Sequence, residues 1–231
     1  MRIEFRYQNV LHAITFGKSK NSKIASRGET IGQSFHFSRE QFENAGKVSM
    51  GEFFDLDSSV CLDCPLKGSK GGCYTHKVTQ YMGFLSTLKS VRNKCTWDEI
   101  PELDAVMIAK IVKHSRGKYF RFGSYGEPSL LPYGLISAIC DVAKSWTGYT
   151  HQWPSKPELL AFFMASVHTE RMENKARSIG WRSFVATPTK IEGFVNCPAS
   201  AEGGYKSTCS KCGLCSGIQG KGNKSIYILE H

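Results

Sequence analysis

No run of 18 apolar residues occurs anywhere in the 231-residue chain, so no segment of it reads as a membrane-spanning helix. The opening residues, MRIEFRYQNVLHAITFGKSK, contain no uninterrupted apolar stretch followed by a small-residue cleavage site, so no secretory signal is expected. Disulfide architecture is missing too: the nine cysteines are odd in number and bunched at two-residue spacings instead of dispersed through a short secreted frame. These absences point to a reducing, cytoplasmic setting without a membrane anchor. Disorder is not expected either, because 41% of residues are hydrophobic and 22% charged, ordinary values for a folded domain.

Acidic residues are the minority charge. Thirty Lys and Arg against twenty Asp and Glu give +10 and a pI near 9.2, which favours a polyanionic partner such as nucleic acid through counterion release. The basic residues are scattered, in KSKNSK at 18–23, KGSK at 67–70, KHSRGK at 113–118 and KGNK at 221–224, with no long arm or RNP-like signature. A well-solvated surface accounts for them equally well.

The length suits one sizeable core carrying a small metal-held appendage. Three segments are expected: a β-rich stretch over 1–50, a β/α core with a first cysteine site over 51–190, and a cysteine-rich metal-binding segment over 191–231. Within the first, Ser38 with Gln41 three residues on predicts a capped helix over 38–46. Apolar spacing predicts helices over 78–94 and about 97–114, the latter with Thr96 as N-cap and Val106, Ile108, Ile111 and Val112 facing the core. From there strands and helices alternate: strands at 119–123, 147–153, 162–167 and 181–187, with helices at 135–145, from Ser155 or Pro157 to about 160, and over TERMENKARSIG. That alternation predicts an α/β fold, either a partial (β/α) barrel or an open, mostly parallel sheet. Ligand chemistry then belongs at the C-terminal strand ends, at 124–128, 151–153 and 166–168.

Two cysteine constellations carry the chemistry. Cys197, Cys209, Cys212 and Cys215 place four thiols within nineteen residues, with C-x2-C-x2-C spacing and a remote Cys-Pro. That run resembles bacterial ferredoxin ligation and suits the corners of a four-iron four-sulfur cluster; a closed zinc knuckle is the alternative, and a disulfide the weakest reading. Upstream, Cys61, Cys64 and Cys73 cluster with Pro65 and Gly71-Gly72. Three thiols without an obvious fourth leave one position open to a ligand; His76, Cys95 or Cys140 would instead close the site as a structural one. In GYTHQW, His151 is a candidate acid, base or ligand, and His168 a weaker one. Tyr125, Tyr149, Trp153 and Trp181 suit either base stacking or the core.

GSYGEPSLLP, after this loop and a helical crossover, resembles the glycine-glycine-glutamate-proline turn of radical S-adenosylmethionine enzymes. The resemblance implies that Cys61, Cys64 and Cys73 hold an open four-iron cluster, that Gly126, Glu127 and Pro128 bind the cosubstrate, and that the C-terminal cysteines hold a second cluster. Two differences stand: the spacing here is C-x2-C-x8-C where that family has C-x3-C-x2-C, and Tyr125 replaces the first glycine. Across nearly the whole chain, CLDCP, GGCY, RFGSYGEP, GYTHQW, MASV, GWRSF and CPAS before C-x2-C-x2-C resemble a family of phage- and plasmid-encoded proteins. This implies a mobile-element origin and assigns no reaction. The leading expectation is an iron-sulfur protein acting on a nucleic acid or other anionic substrate. The competing one is a zinc-held, non-catalytic module binding nucleic acid or protein, including an inhibitor of host defence.

Overall fold

The computed structural model describes residues 1–73 and 75–229, so of the motifs above only Tyr74 of GGCY lies outside it. The chain opens with β1 (Arg2–Tyr7) and β2 (Val10–Lys18), antiparallel across a two-residue turn. Gln8 and Asn9 both take positive φ there, at 49° and 59°, the turn whose twist matches a hairpin. β3 (Thr30–Phe37) pairs antiparallel with β2 and parallel with β4 (Tyr119–Tyr125), and β5 (Ser145–Thr147) adds a parallel edge. The N-terminal strands are therefore part of the same sheet that carries the central β/α units. Gly32 is required at the β3–β4 contact, because a Cβ would lie 2.3 Å from the Phe120 ring.

The second sheet is parallel throughout, in the order β6 (Tyr149–Thr150), β7 (Met164–Val167), β8 (Ser183–Thr187), β10 (Ile226–Leu229), β9 (Val195–Asn196). Only Gly148 separates β5 from β6, so the single expected strand at 147–153 is split and its halves belong to different sheets. A Cβ at Gly148 would sit 2.5 Å from Phe163, which is why a residue without one stands at the junction. Two five-stranded sheets, not a barrel, are the result.

Strand residues alternate between cores with the period of two that a pleat imposes. On one face of the first sheet, Leu11, Ala13, Phe37 and Tyr125 meet α1 (Arg39–Asn44), α2 (Met50–Asp55) and α4 (Val78–Arg92). On the other, Ile14, Phe16, Phe120 and Phe122 meet α5 (Ala105–Ser115) and α6 (Tyr133–Val142), and this core continues through Ala165, Val167, Val185 and Tyr227 to α7 (Glu170–Ser178). The remaining face of the second sheet is covered by the cysteine-rich segment: Met164 and Ile226 pack with Cys197, Ala199 and Cys215. A parallel sheet must be covered on both faces, and here a loop does what a helix usually does.

The capping box at Ser38 forms as read, with α1 starting one residue later. The helix expected from Trp97 does not: residues 96–104 are a turn and loop, in which Thr96 binds the Glu99 carboxylate (2.8 Å), and Asp104 caps α5 by accepting from the Met107 N–H (2.7 Å). Val106, expected in the core, is exposed, while Ile111 is buried. No helix among the described residues is long and apolar enough to cross a membrane.

Candidate functional site

The three-cysteine loop is shaped by two aspartates just upstream of it. Asp55 accepts from the Ser69 N–H (2.8 Å) and hydroxyl, and Asp57 accepts from the Gly68 N–H (3.3 Å). Together they fold the 66–72 segment back over α3 (Ser58–Cys61). The return is tight at Gly71, where a Cβ would lie 2.2 Å from the Lys67 carbonyl. Asp57 also accepts from the Cys61 thiol (3.3 Å), and Cys73 shares a hydrogen bond with Thr75 (3.1 Å). Burial pushes the Cys61 and Cys73 thiols up, with nearby Asp57 and the neighbouring thiols adding to it. Asp57 itself is raised by burial.

The GSYGEP turn docks directly on this loop. The Glu127 N–H donates to the Val60 carbonyl (2.7 Å), one residue before Cys61. Gly126, at φ +77°, makes the approach feasible: a Cβ there would meet His36 Cβ at 2.8 Å and the Val60 oxygen at 3.2 Å. Gly123, at φ +61°, yields to the Pro128 ring in the same way. The glycines thus bring the turn's backbone against the cysteine loop. Tyr125, where the resemblance has a glycine, is buried beneath the cysteines and accepts from Gln41 Nε2 (2.6 Å).

Glu127 is buried and works as a strut. Oε1 accepts from the Ser129 N–H (3.2 Å) and Oε2 from the His151 N–H (3.0 Å), tying the end of β4 to the end of β6. The expected strand-end residues therefore do converge. His151 lies beside the Cys64 thiol and 3.6 Å from Glu127 Oε2, and its Nε2 meets His168 Nε2 at 3.0 Å in a coplanar arrangement. Burial pulls His151 down, but the hydrogen bonds to Cys64 and Glu127 outweigh it and raise it to about 9. His168, half-buried and facing that ring, is lowered to about 4 by desolvation and by His151. The geometry suits one imidazole that donates and one that accepts between two strand ends. Gln152 adds a link to the loop, donating to Asp63 (3.0 Å).

Two of the candidates for a fourth ligand lie elsewhere. Cys95 packs against the α4 core, and Cys140 is buried in α6 with Asp141 as its charged neighbour. His76 stacks on Phe54 (4.0 Å between centroids), and neither ring nitrogen has a hydrogen-bond partner among the described residues. Among the described residues no three His, Cys, Asp or Glu side chains converge on the spacing that one metal ion requires. All nine cysteines are free, so the disulfide reading is not realised.

The C-terminal cysteines gather against the second sheet. α8 (Cys209–Cys212) is anchored by Cys209 N–H to Lys23 O (3.0 Å) and Ser210 N–H to Ile24 O (2.8 Å), and it ends at Gly213 in the left-handed region. Gly148 N–H donates to Cys215 O (3.0 Å), and the Tyr149 hydroxyl meets the Cys215 sulfur. Burial raises the thiols of Cys209, Cys212 and Cys215, and the sulfurs around each, that of Cys197 included, raise it further. Arg182, just ahead of β8, reaches across the same loop. The aromatic candidates are structural: Trp153 and Trp181 are core, and Tyr149 packs on Phe184 (4.3 Å).

Asp57, Arg182 and the buried pair His12 and His36 went unread in the sequence. Asp-x-Asp ahead of a cysteine loop is a usable signal for the first. The others carry none, because the His12–His36 contact spans 24 positions and the bond from Arg182 to Lys224 spans 42. No family model, curated protein or solved structure matches the chain.

Proposed function

We propose that this chain is an iron-sulfur protein with an open three-cysteine site, at which S-adenosylmethionine is the cosubstrate, and a closed four-cysteine site. The observation that carries the reading is the 2.7 Å bond from the Glu127 N–H to the Val60 carbonyl. It seats the Gly126-Glu127-Pro128 turn on the loop that bears Cys61, as a shared ligand pocket demands. The sulfurs of each set are close enough to act on one another electrostatically, as ligands of one metal group would be.

Cys61, Cys64 and Cys73 would hold the open cluster, and Cys197, Cys209, Cys212 and Cys215 the closed one. A cluster bound at the open site supplies one-electron reduction. The chain's own residues do the rest. Asp57 and Asp55 set the loop's shape, and Glu127 fixes His151 by its backbone and ring and keeps one lone pair on Oε1 for a cationic ligand. His151 and His168 hold a proton at the rim, where an anionic substrate would need one. The net charge of +10 suits such a substrate, nucleic acid included.

The test is protein purified without oxygen. Brown protein with about eight irons per chain, which releases 5'-deoxyadenosine when reduced with S-adenosylmethionine, supports the reading. Fully clustered protein that releases none ends the cosubstrate assignment. Colourless protein with zinc transfers the cysteines to the structural alternative, for which nucleic-acid affinity falling steeply with salt is the mark.

A further inference from the structure

Arg182 is a buried guanidinium whose role the scheme above leaves unused. The residue is 7% exposed, and its side chain donates to five backbone carbonyls. Nε and Nη2 bond Lys224 O (3.1 and 2.9 Å), Nη2 bonds Leu214 O (2.7 Å), and Nη1 bonds Ser216 O (2.8 Å), with Gly217 O and Lys221 O each at 3.4 Å. All of these partners are neutral. Carbonyl dipoles satisfy the fork's hydrogen bonds, but they leave a full positive charge in the interior, which is costly unless an anion compensates it.

The carbonyls of Leu214 and Ser216 bracket Cys215, and the Cys215 sulfur is the ionisable group whose charge reaches Arg182. Other cations face the neighbouring sulfurs: Arg121 and Lys23 face Cys209, and Lys221 faces Cys212. At the three-cysteine site the sign is reversed, with the Asp57 carboxylate against Cys61 and Cys73. A buried, wrapped guanidinium with no carboxylate bonded to it among the described residues therefore holds the turn that carries Cys215.

We propose that Arg182 is the counter-charge of the four-cysteine site: it holds the Leu214–Ser216 backbone turn that carries Cys215, and it balances the negative charge of the thiolate-bound metal group there. This rests on the reading that the four cysteines hold metal, and it applies to an iron cluster and to zinc alike, since thiolates carry the negative charge in both. Arg182 is a positioning residue, acting through Cys215.

The experiment uses the full chain with Cys61, Cys64 and Cys73 replaced by serine, so that one site is loaded. Arg182→Gln, Arg182→Lys and Lys190→Gln are compared with that parent for metal loss to excess EDTA, with circular dichroism confirming that each is folded. Arg182→Gln is expected to lose metal at least tenfold faster, Arg182→Lys to recover most of that, and Lys190→Gln, exposed and away from the four cysteines, to match the parent. If the metal is iron, Arg182→Gln also shifts the oxidised-to-reduced ratio at fixed potential about tenfold toward oxidised, about 59 mV for one electron. Equal loss from the Gln and Lys variants would make Arg182 a geometric clamp and overturn the charge role; retention unchanged in Arg182→Gln would overturn both parts. A parent chain that binds no metal sinks the metal reading itself, a result distinct from either.

Discussion

Acid should unfold this protein through two buried histidines. His12 and His36 are fully buried, with Nδ1 atoms 2.8 Å apart. Their hydrogen bonds assign both tautomers. His12 Nε2 faces the Tyr7 carbonyl (3.3 Å), which only accepts, so that nitrogen carries the proton and His12 Nδ1 accepts. His36 must then donate from Nδ1, its Nε2 accepts from the Ser34 hydroxyl (3.3 Å), and Ser34 Oγ in turn accepts the Gly123 N–H (2.8 Å). The chain closes with both rings neutral and ends on the functional turn.

Burial lowers His12 to about 4, and burial with His12 as neighbour drives His36 well below its ordinary value. A depressed histidine favours folding only while the unfolded chain is also neutral, so stability is lost as pH falls below about 6.5. Between pH 7 and 5 the loss is about 2 kcal/mol for His12, and His36 adds to it in the same direction, out of the roughly 5–15 kcal/mol typical of a domain. His168 acts in the same direction; His151, raised to about 9, acts in the opposite one, its contribution being full below about 6.5 and lost as pH climbs through 9. A difference measurement removes both. Urea unfolding at pH 7, 6 and 5 is compared between the native chain and His12→Gln/His36→Asn. The variant should be less stable at pH 7 but should lose less on acidification, by at least the roughly 2 kcal/mol of His12. Equal slopes, or a His12 ring proton titrating near its ordinary value by NMR, would refute the argument.

Gly126→Ala should destabilise the fold by roughly 1–3 kcal/mol in thermal melts, because its Cβ meets His36 and the Val60 carbonyl at a positive φ, and it should quicken alkylation of Cys61. Glu127→Gln leaves one of two buried N–H groups facing an amide donor, at a cost of about 1–3 kcal/mol, and NMR should find His151 titrating below 9. Asp57→Asn weakens the Gly68 and Cys61 contacts; metal bound at the three-cysteine site should become easier to remove while the four-cysteine site is unaffected, and equal loss at both would count against separate sites.

Local signals were readable where local physics decides. The capping box at Ser38, α4, α7 ending at Gly180, and the strands at 119, 164 and 183 follow from side-chain reach and period within a few residues. Both cysteine sets and the strand-end triplet of Glu127, His151 and His168 were legible as residue types. Where neighbours decide, the reading ran short. Nothing local says that a Cβ at 148 would strike Phe163, so the break between sheets was invisible, as was Asp104 prevailing over Thr96 as the cap of α5. His12 meets His36, and Arg182 meets the 214–224 carbonyls, only because strands and loops distant in sequence are packed together. Composition and spacing determined which chemistry this chain carries; tertiary packing decided which groups face each other, because burial and distance, which set charge and hydrogen bonding, belong to the fold and not to the order of residues.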